Sequence, residues 1–264
     1  MSTVTSADGT RIAYEKLGSG PALIMVDGAL CYRAFGPTKK IAEALAENFT
    51  VYIYDRRGRG ESGDTAPFDV AREVEDLEAL VKEAGGPVHL FGQSSGAALA
   101  LEAVRRGLPV TKLAIYEAPF IVDGTRSPVG PEYVESLHAA LAAGRPGDAL
   151  RAFFKVVEMP ALMIAVMRFM PPWKKLCAVA PTLPYDSAVV GDFQVGTALP
   201  EGRWASVTVP TLVADGGKSP AWMRNAQRAL AAALPNATTT TLEGQNHMVK
   251  PGPLTPVLTD FFTK

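Results

Sequence analysis

Along the chain, short apolar runs bounded by turn residues recur at Ala22–Val26, Val51–Tyr54, Val88–Phe91, Leu113–Tyr116 and Thr211–Ala214. They are near-continuously hydrophobic rather than alternating, the pattern of strands buried on both faces of a sheet. Between them lie segments with helical periodicity: Pro37–Glu47, Val70–Ala84, Ala97–Arg106 and Ala221–Leu234. Strand and helix in alternation predict an α/β fold, a mostly parallel central sheet flanked by helices. The opening stretch differs. Val4–Ser6 and Arg11–Lys16 flank Asp8-Gly9, which predicts a β-hairpin.

Residues 120–200 break the alternation. Helical patterns cover Glu132–Ala143, Gly147–Glu158 and Ala161–Met170, followed by the turn-prone Pro171-Pro172-Trp173, and no strand pattern intervenes. An all-helical insertion between two sheet strands predicts a cap over the strands' C-terminal ends, where ligands of open α/β sheets bind. The expected division is a core of residues 1–119 and 201–264 with a cap of residues 120–200.

With 264 residues, 47% of them hydrophobic, the chain can bury one large α/β core. A formal net charge of −1 gives no electrostatic reason to expect nucleic acid or an anionic membrane as partner. The basic cluster Arg56-Arg57-Gly58-Arg59 reads as a solvated loop with local pairings. Cys31 and Cys177 lie far apart and form neither a disulfide framework nor a metal-ligand spacing. Met1–Tyr14 is polar, without an apolar stretch of signal-peptide length, and the lipophilic segment 161–167 is stopped by Arg168 and Pro171, too short to span a bilayer. A soluble cytoplasmic protein is the expectation.

Chemistry enters at Gly92-Gln93-Ser94-Ser95-Gly96, a G-x-S-x-G pattern between the strand-like run ending at Phe91 and the helix-like run opening at Ala97. Strand, tight turn and helix are the setting of a nucleophile elbow, which lifts a serine hydroxyl above the sheet edge. The helix starting after Ser94 aims the Ser95 N–H and its positive dipole end at a developing oxyanion. A serine nucleophile needs a base, and the base needs a carboxylate. Three histidines are available. His89 lies within a strand pattern and reads as a packed sheet residue, and His138 lies on a cap helix. His247 follows the strand-like Thr238–Leu242 in the loop Glu243-Gly244-Gln245-Asn246-His247, after the nucleophile in chain order, and is the expected base.

These features resemble an α/β-hydrolase over the whole chain. The resemblance implies an acid after the strand preceding the histidine strand, in a stretch similar to G-x-x-D-P. Gly216-Gly217-Lys218-Ser219-Pro220 stands there instead, with serine at the acid position. Two carboxylates are the alternatives: Asp215, at the end of Thr211–Ala214, and Glu117, at the end of Leu113–Tyr116. Glu117 is preferred, because neighbouring strands lie ~4.8 Å apart and an acid one strand closer to Ser94 still flanks the imidazole. The zearalenone lactone hydrolases place their acid at this strand end. The chain is similar to them at Asp27-Gly28, at Ser94-Ser95-Gly96-Ala97, and at Glu117 followed by Pro119. Most of the family carries His-Gly where this chain has Asp27-Gly28, so Gly28 or Ala29 N–H is the expected second oxyanion donor. Asp27 is expected to point away from the oxyanion. Asp55–Ser62 matches the family's turn after the fourth strand and reads as structural.

The cap stretch is rich in Phe and Met, and Trp173, with an indole N–H as polar handle, is the expected ligand contact beside Ala29. These readings imply a cofactor-independent, metal-free serine hydrolase of small hydrophobic esters or lactones. C–C bond hydrolysis or a tailoring step on the same triad is an alternative, as is a catalytically silent small-molecule receptor. Epoxide hydrolases and haloalkane dehalogenases of this fold use an Asp nucleophile, which Ser94 argues against.

Overall fold

The computed structural model describes residues 2–264. Its strands are β1 (Ser2–Thr5), β2 (Arg11–Leu17), β3 (Ala22–Val26), β4 (Thr50–Tyr54), β5 (Val88–Gln93), β6 (Val110–Tyr116), β7 (Thr211–Gly216) and β8 (Ala237–Leu242). They form one sheet in the order β1-β2-β4-β3-β5-β6-β7-β8. The β1–β2 and β2–β4 pairs are antiparallel, the former being the predicted hairpin, and all others are parallel. Four helices connect strands, α1 (Thr38–Leu45), α2 (Val70–Ala84), α3 (Ser95–Arg105) and α9 (Ala221–Ala233), and α10 (Pro251–Thr263) follows the last strand. Between β6 and β7 lie α4 (Pro131–Ala142), α5 (Pro146–Val156), α6 (Ala161–Met167), α7 (Pro172–Val179) and α8 (Leu183–Val190), with no strand among them.

Side-chain alternation sends the strands' residues to two separate cores. Ile24, Val26, Leu90, Ile115 and Val213 pack with α2, α3 and α9, whereas Leu23, Met25, Phe91, Ala114 and Ala214 pack with α1 and α10. This double coverage is why the strands read as continuous apolar runs. The inserted helices carry a third cluster of their own, in which Leu137, Leu150, Phe154, Leu176 and Leu183 gather around Leu30 of the loop after β3.

Prolines hide three helices from the sequence pattern, α8 with Pro184 in its first turn among them. Pro172, read as part of a turn, opens α7, and Pro251 opens α10. At a first helical position the missing N–H is not needed and the fixed φ suits the helix. The α10 stripe of Leu254, Leu258 and Phe262 then follows an i, i+4, i+8 spacing into the core. Among the described residues, no helix is long and apolar enough to cross a membrane.

The basic turn after β4 is not solvated. Arg56, Arg57 and Arg59 are at most 1% exposed. Arg57 forks onto Asp76 at 2.7 and 2.9 Å and reaches Asp8, while Arg56 forks onto Glu73 at 2.6 and 2.8 Å. A buried guanidinium must find carboxylates, and here they come from helices and from the β1–β2 turn rather than from the loop itself.

Candidate active site

Ser94 follows β5 directly and takes φ 58° and ψ −129°, a strained conformation for a residue with a Cβ. The flanking glycines make the turn possible by close approach. A Cβ on Gly92 would lie 2.4 Å from the Gly96 carbonyl oxygen, and one on Gly96 would lie 2.3 Å from that of Val26. Helix α3 starts at Ser95, and the half-buried Ser94 stands at its N-terminus. Among the described residues, three of the four non-glycine positions with positive φ are Leu30, Ser94 and Glu117. Such strain persists only where surrounding structure enforces it, and it concentrates at functional sites.

Strand register explains where Glu117 falls. Gln93 of β5 pairs with Tyr116 of β6, and Ser94 N–H donates to the Tyr116 carbonyl at 2.9 Å. Ser94 and Glu117 are therefore the next residues beyond a register pair on adjacent strands. Glu117 is fully buried, accepts the Gly216 N–H at Oε1 (2.8 Å), and meets His247 Nδ1 at Oε2 (2.8 Å). That contact fixes the imidazole tautomer with the proton on Nδ1 and leaves Nε2 free to accept. Ser94 and His247 are not hydrogen-bonded to each other among the described residues; the side-chain partner of His247 is Glu117.

The loop carrying His247 crosses the end of β7 from β8. Two side chains moor it to the sheet: Gln93 Nε2 donates to the His247 carbonyl at 2.9 Å, and Tyr116 OH donates to the Asn246 carbonyl at 2.7 Å. Each mooring residue precedes a candidate catalytic one, Ser94 and Glu117 respectively. Neither is signalled by the sequence, because the pairing spans 130 residues or more.

Among the described residues, Asp215, the alternative acid, makes no hydrogen bond or ion pair with His247, whose side-chain partner is Glu117. Its β7 position belongs to the same sheet face as Val213, and its Oδ1 is buried without a hydrogen-bond partner. Burial raises its pKa, opposed by the Thr241 hydroxyl and reinforced by the Glu117 charge. Ser219, at the family's usual acid position, is buried with its hydroxyl likewise unpartnered. His89 meets Thr111 Oγ1 at 2.8 Å and stacks on Phe262, a packed sheet residue, and His138 is exposed on α4.

Gly28 brings the loop after β3 against the elbow: a Cβ there would lie 2.9 Å from Ser94 Cβ. Among the described residues, the N–H groups of Gly28 and Ala29 donate to no acceptor. With Ser95 N–H they are the donors available to an oxyanion. The Asp27 side chain turns into the protein and accepts the Thr38 hydroxyl. Trp173 and Ala29 pack against the same cluster in the insertion, with the Trp173 ring over Gly147. Surface concavities of about 610 and 640 Å³ lie elsewhere, walled by residues such as Leu199 and Asn225, or Thr240 and Phe261.

Burial pushes the Asp27 carboxyl up from 3.8 to about 6, although the Thr38 hydroxyl and the Arg59 and Arg56 charges favour its ionised form. A carboxyl that holds its proton more tightly when folded loses stability as pH rises from its unfolded to its folded pKa. The cost from Asp27 thus builds between about pH 4 and 6 to about 3 kcal/mol. Asp27→Asn is expected to melt near wild type at pH 4 and clearly above it at pH 7.5. Parallel melting curves of the two proteins across that range would contradict this.

The comparisons with known proteins agree with this architecture. A crystal structure of an alpha/beta hydrolase from Sphaerobacter thermophilus is 51% identical, covers 99% of this chain and 100% of its own, and superposes with a TM-score of 0.91. The enol-lactonase of Burkholderia xenovorans (19% identical, TM-score 0.70, covering 100% of both chains) shares the fold. So does an esterase from Exiguobacterium antarcticum (18%, TM-score 0.73, covering 100% of this chain and 99% of its own). N-formylmaleamate deformylase of Pseudomonas putida is 34% identical over 155 residues, 56% of this chain and 57% of the relative; the match thus spans little more than half of that enzyme. The model of the alpha/beta hydrolase family matches residues 19–252, and the chain belongs to that family.

Proposed function

We propose that this chain is a serine hydrolase that cleaves small hydrophobic carboxylic esters or lactones through an acyl-enzyme. The observation that carries the reading is the 2.8 Å contact between His247 Nδ1 and Glu117 Oε2, made at the strand end beside Ser94. In this reading His247 Nε2 takes the Ser94 proton as Oγ attacks the acyl carbon. The carbonyl oxygen gains negative charge and is held by Ser95 N–H with Gly28 or Ala29 N–H, donors worth ~3 kcal/mol each at comparable sites. His247 then gives its proton to the leaving alkoxide. Water, deprotonated by His247, attacks the acyl carbon and releases Ser94. Glu117 holds the imidazole in the working tautomer and stabilises the imidazolium.

Residues 120–200 act as the cap and residues 1–119 and 201–264 as the core. The apolar side chains of the insertion, with Trp173 and Ala29, favour a hydrophobic substrate. An acid at the end of β6, as in the zearalenone lactone hydrolases, and relatives named as esterase, enol-lactonase and deformylase support the reaction class. Two free cysteines favour a reducing cytoplasm.

A fluorophosphonate probe tests the reading. The wild-type protein is expected to label at Ser94, and Ser94→Ala to remain unlabelled. Wild type that stays unlabelled where a known serine esterase labels would overturn catalysis in favour of a silent receptor.

A further inference from the structure

We propose that the buried cluster of Arg56, Arg59 and Asp186 positions the oxyanion donors, so that helix α8 of the insertion sets the competence of the elbow. This inference rests on the serine-hydrolase reading. Arg59 Nη1 donates to the Gly28 carbonyl at 2.7 Å and to the Cys31 carbonyl at 3.2 Å. Arg56 Nη1 donates to the Asp27 carbonyl at 3.2 Å and to Ser95 Oγ at 3.4 Å. Both guanidiniums converge on Asp186, which takes Arg56 Nη1 at 2.7 Å and embraces Arg59 Nη2 between its two oxygens at 2.8 and 2.9 Å. The same carboxylate accepts the Ser95 hydroxyl at 2.7 Å.

What the cluster grips decides what it does. In a planar trans peptide the carbonyl of one residue and the N–H of the next point in opposite directions. An arginine on the Asp27 carbonyl therefore turns Gly28 N–H the other way, and an arginine on the Gly28 carbonyl does the same for Ala29 N–H. These are the two donors left without acceptors beside Ser94. The third donor, Ser95 N–H, belongs to the residue whose hydroxyl Asp186 holds. One carboxylate from the insertion is thus linked to all three peptides that can face an oxyanion. A buried ion cluster is weak evidence for stability by itself, since apolar packing often serves as well. Gripping the carbonyls that precede the candidate donors is a task apolar packing cannot perform, although at Gly28 the Cys31 N–H shares the carbonyl at 3.3 Å.

The experiment compares Asp186→Asn, nearly isosteric but uncharged, with Arg57→Lys, which alters the third buried arginine of the turn. Arg57 is bound to Asp76 and Asp8 and not to the site. Readouts are kcat and KM on a p-nitrophenyl ester, inhibition by a trifluoromethyl ketone whose adduct with serine carries an oxyanion, and the melting temperature. Asp186→Asn is expected to lower kcat by about 100-fold with KM little changed, and to weaken the ketone in parallel. Arg57→Lys is expected to lower the melting temperature while leaving both unchanged. If folded Asp186→Asn keeps wild-type kcat and ketone affinity, or if Arg57→Lys loses both equally, the inference fails and the cluster is structural only. Should Asp186→Asn not fold, Arg59→Lys carries the same expectation, because an ammonium cannot span the Gly28 carbonyl and the carboxylate fork together. Wild type that neither turns over ester nor binds the ketone would instead sink the hydrolase reading beneath it.

Discussion

Glu117→Gln is expected to lower kcat by about 10⁴-fold, the scale seen when a triad acid becomes an amide, while Asp215→Asn changes it little. The glutamine keeps the shape of the buried site, and its Oε1 can still accept Gly216 N–H, as Glu117 does at 2.8 Å. Its amide nitrogen then faces His247 Nδ1. An NH₂ group donates, so Nδ1 must become the acceptor and the imidazole proton moves to Nε2. A protonated Nε2 cannot take the Ser94 proton, and the charge that would stabilise the imidazolium is gone as well. Asp215→Asn touches neither atom. Its effect falls on stability, where removing a buried carboxyl with an unpartnered oxygen relieves a desolvation cost. Steady-state turnover of a p-nitrophenyl ester by the two variants decides the matter. A large loss in Asp215→Asn with little in Glu117→Gln transfers the acid's role to Asp215.

Ser94→Ala is expected to remove turnover almost entirely, by about 10⁶-fold in kcat, as for nucleophiles that act as a unit with their base. Ligand affinity should survive, because the candidate oxyanion donors and the insertion are untouched. Ser94 sits at φ 58°, a conformation alanine tolerates no better than serine, so the variant inherits the strain without adding to it. Turnover and ligand binding measured on one preparation read both effects. Unchanged turnover would place the chemistry on another group.

How far the sequence carries depends on whether the determining contacts are local. The five core strands and the flanking helices α1, α2, α3 and α9 are legible because each announces itself within 15 residues or fewer. The same is true of Ser94, whose glycines are spaced by the steric demands of one turn. Glu117 is legible as a candidate because strand ends align in a parallel sheet. Proline-rich starts conceal α7, α8 and α10, since the residue that forbids a helix interior favours its first turn. The arginine turn misleads for a different reason. Charge in a loop normally signals solvent, and nothing near Arg56 or Arg59 announces that Asp186, 127 to 130 positions later, will cover them. Gln93 and Tyr116 escape notice likewise, since their hydroxyl and amide act on backbone atoms that no pattern encodes.

That long reach has a consequence during synthesis on the ribosome. The elbow, the β3 loop and both arginines are translated early, yet Asp186 is the one carboxylate that Arg59 touches among the described residues. Until α8 emerges, closing the nascent N-terminal half would bury the Arg59 guanidinium without the carboxylate it binds directly. The half-made polypeptide is thereby expected to stay open, with the surroundings of Ser94 completed only once most of the message has been read.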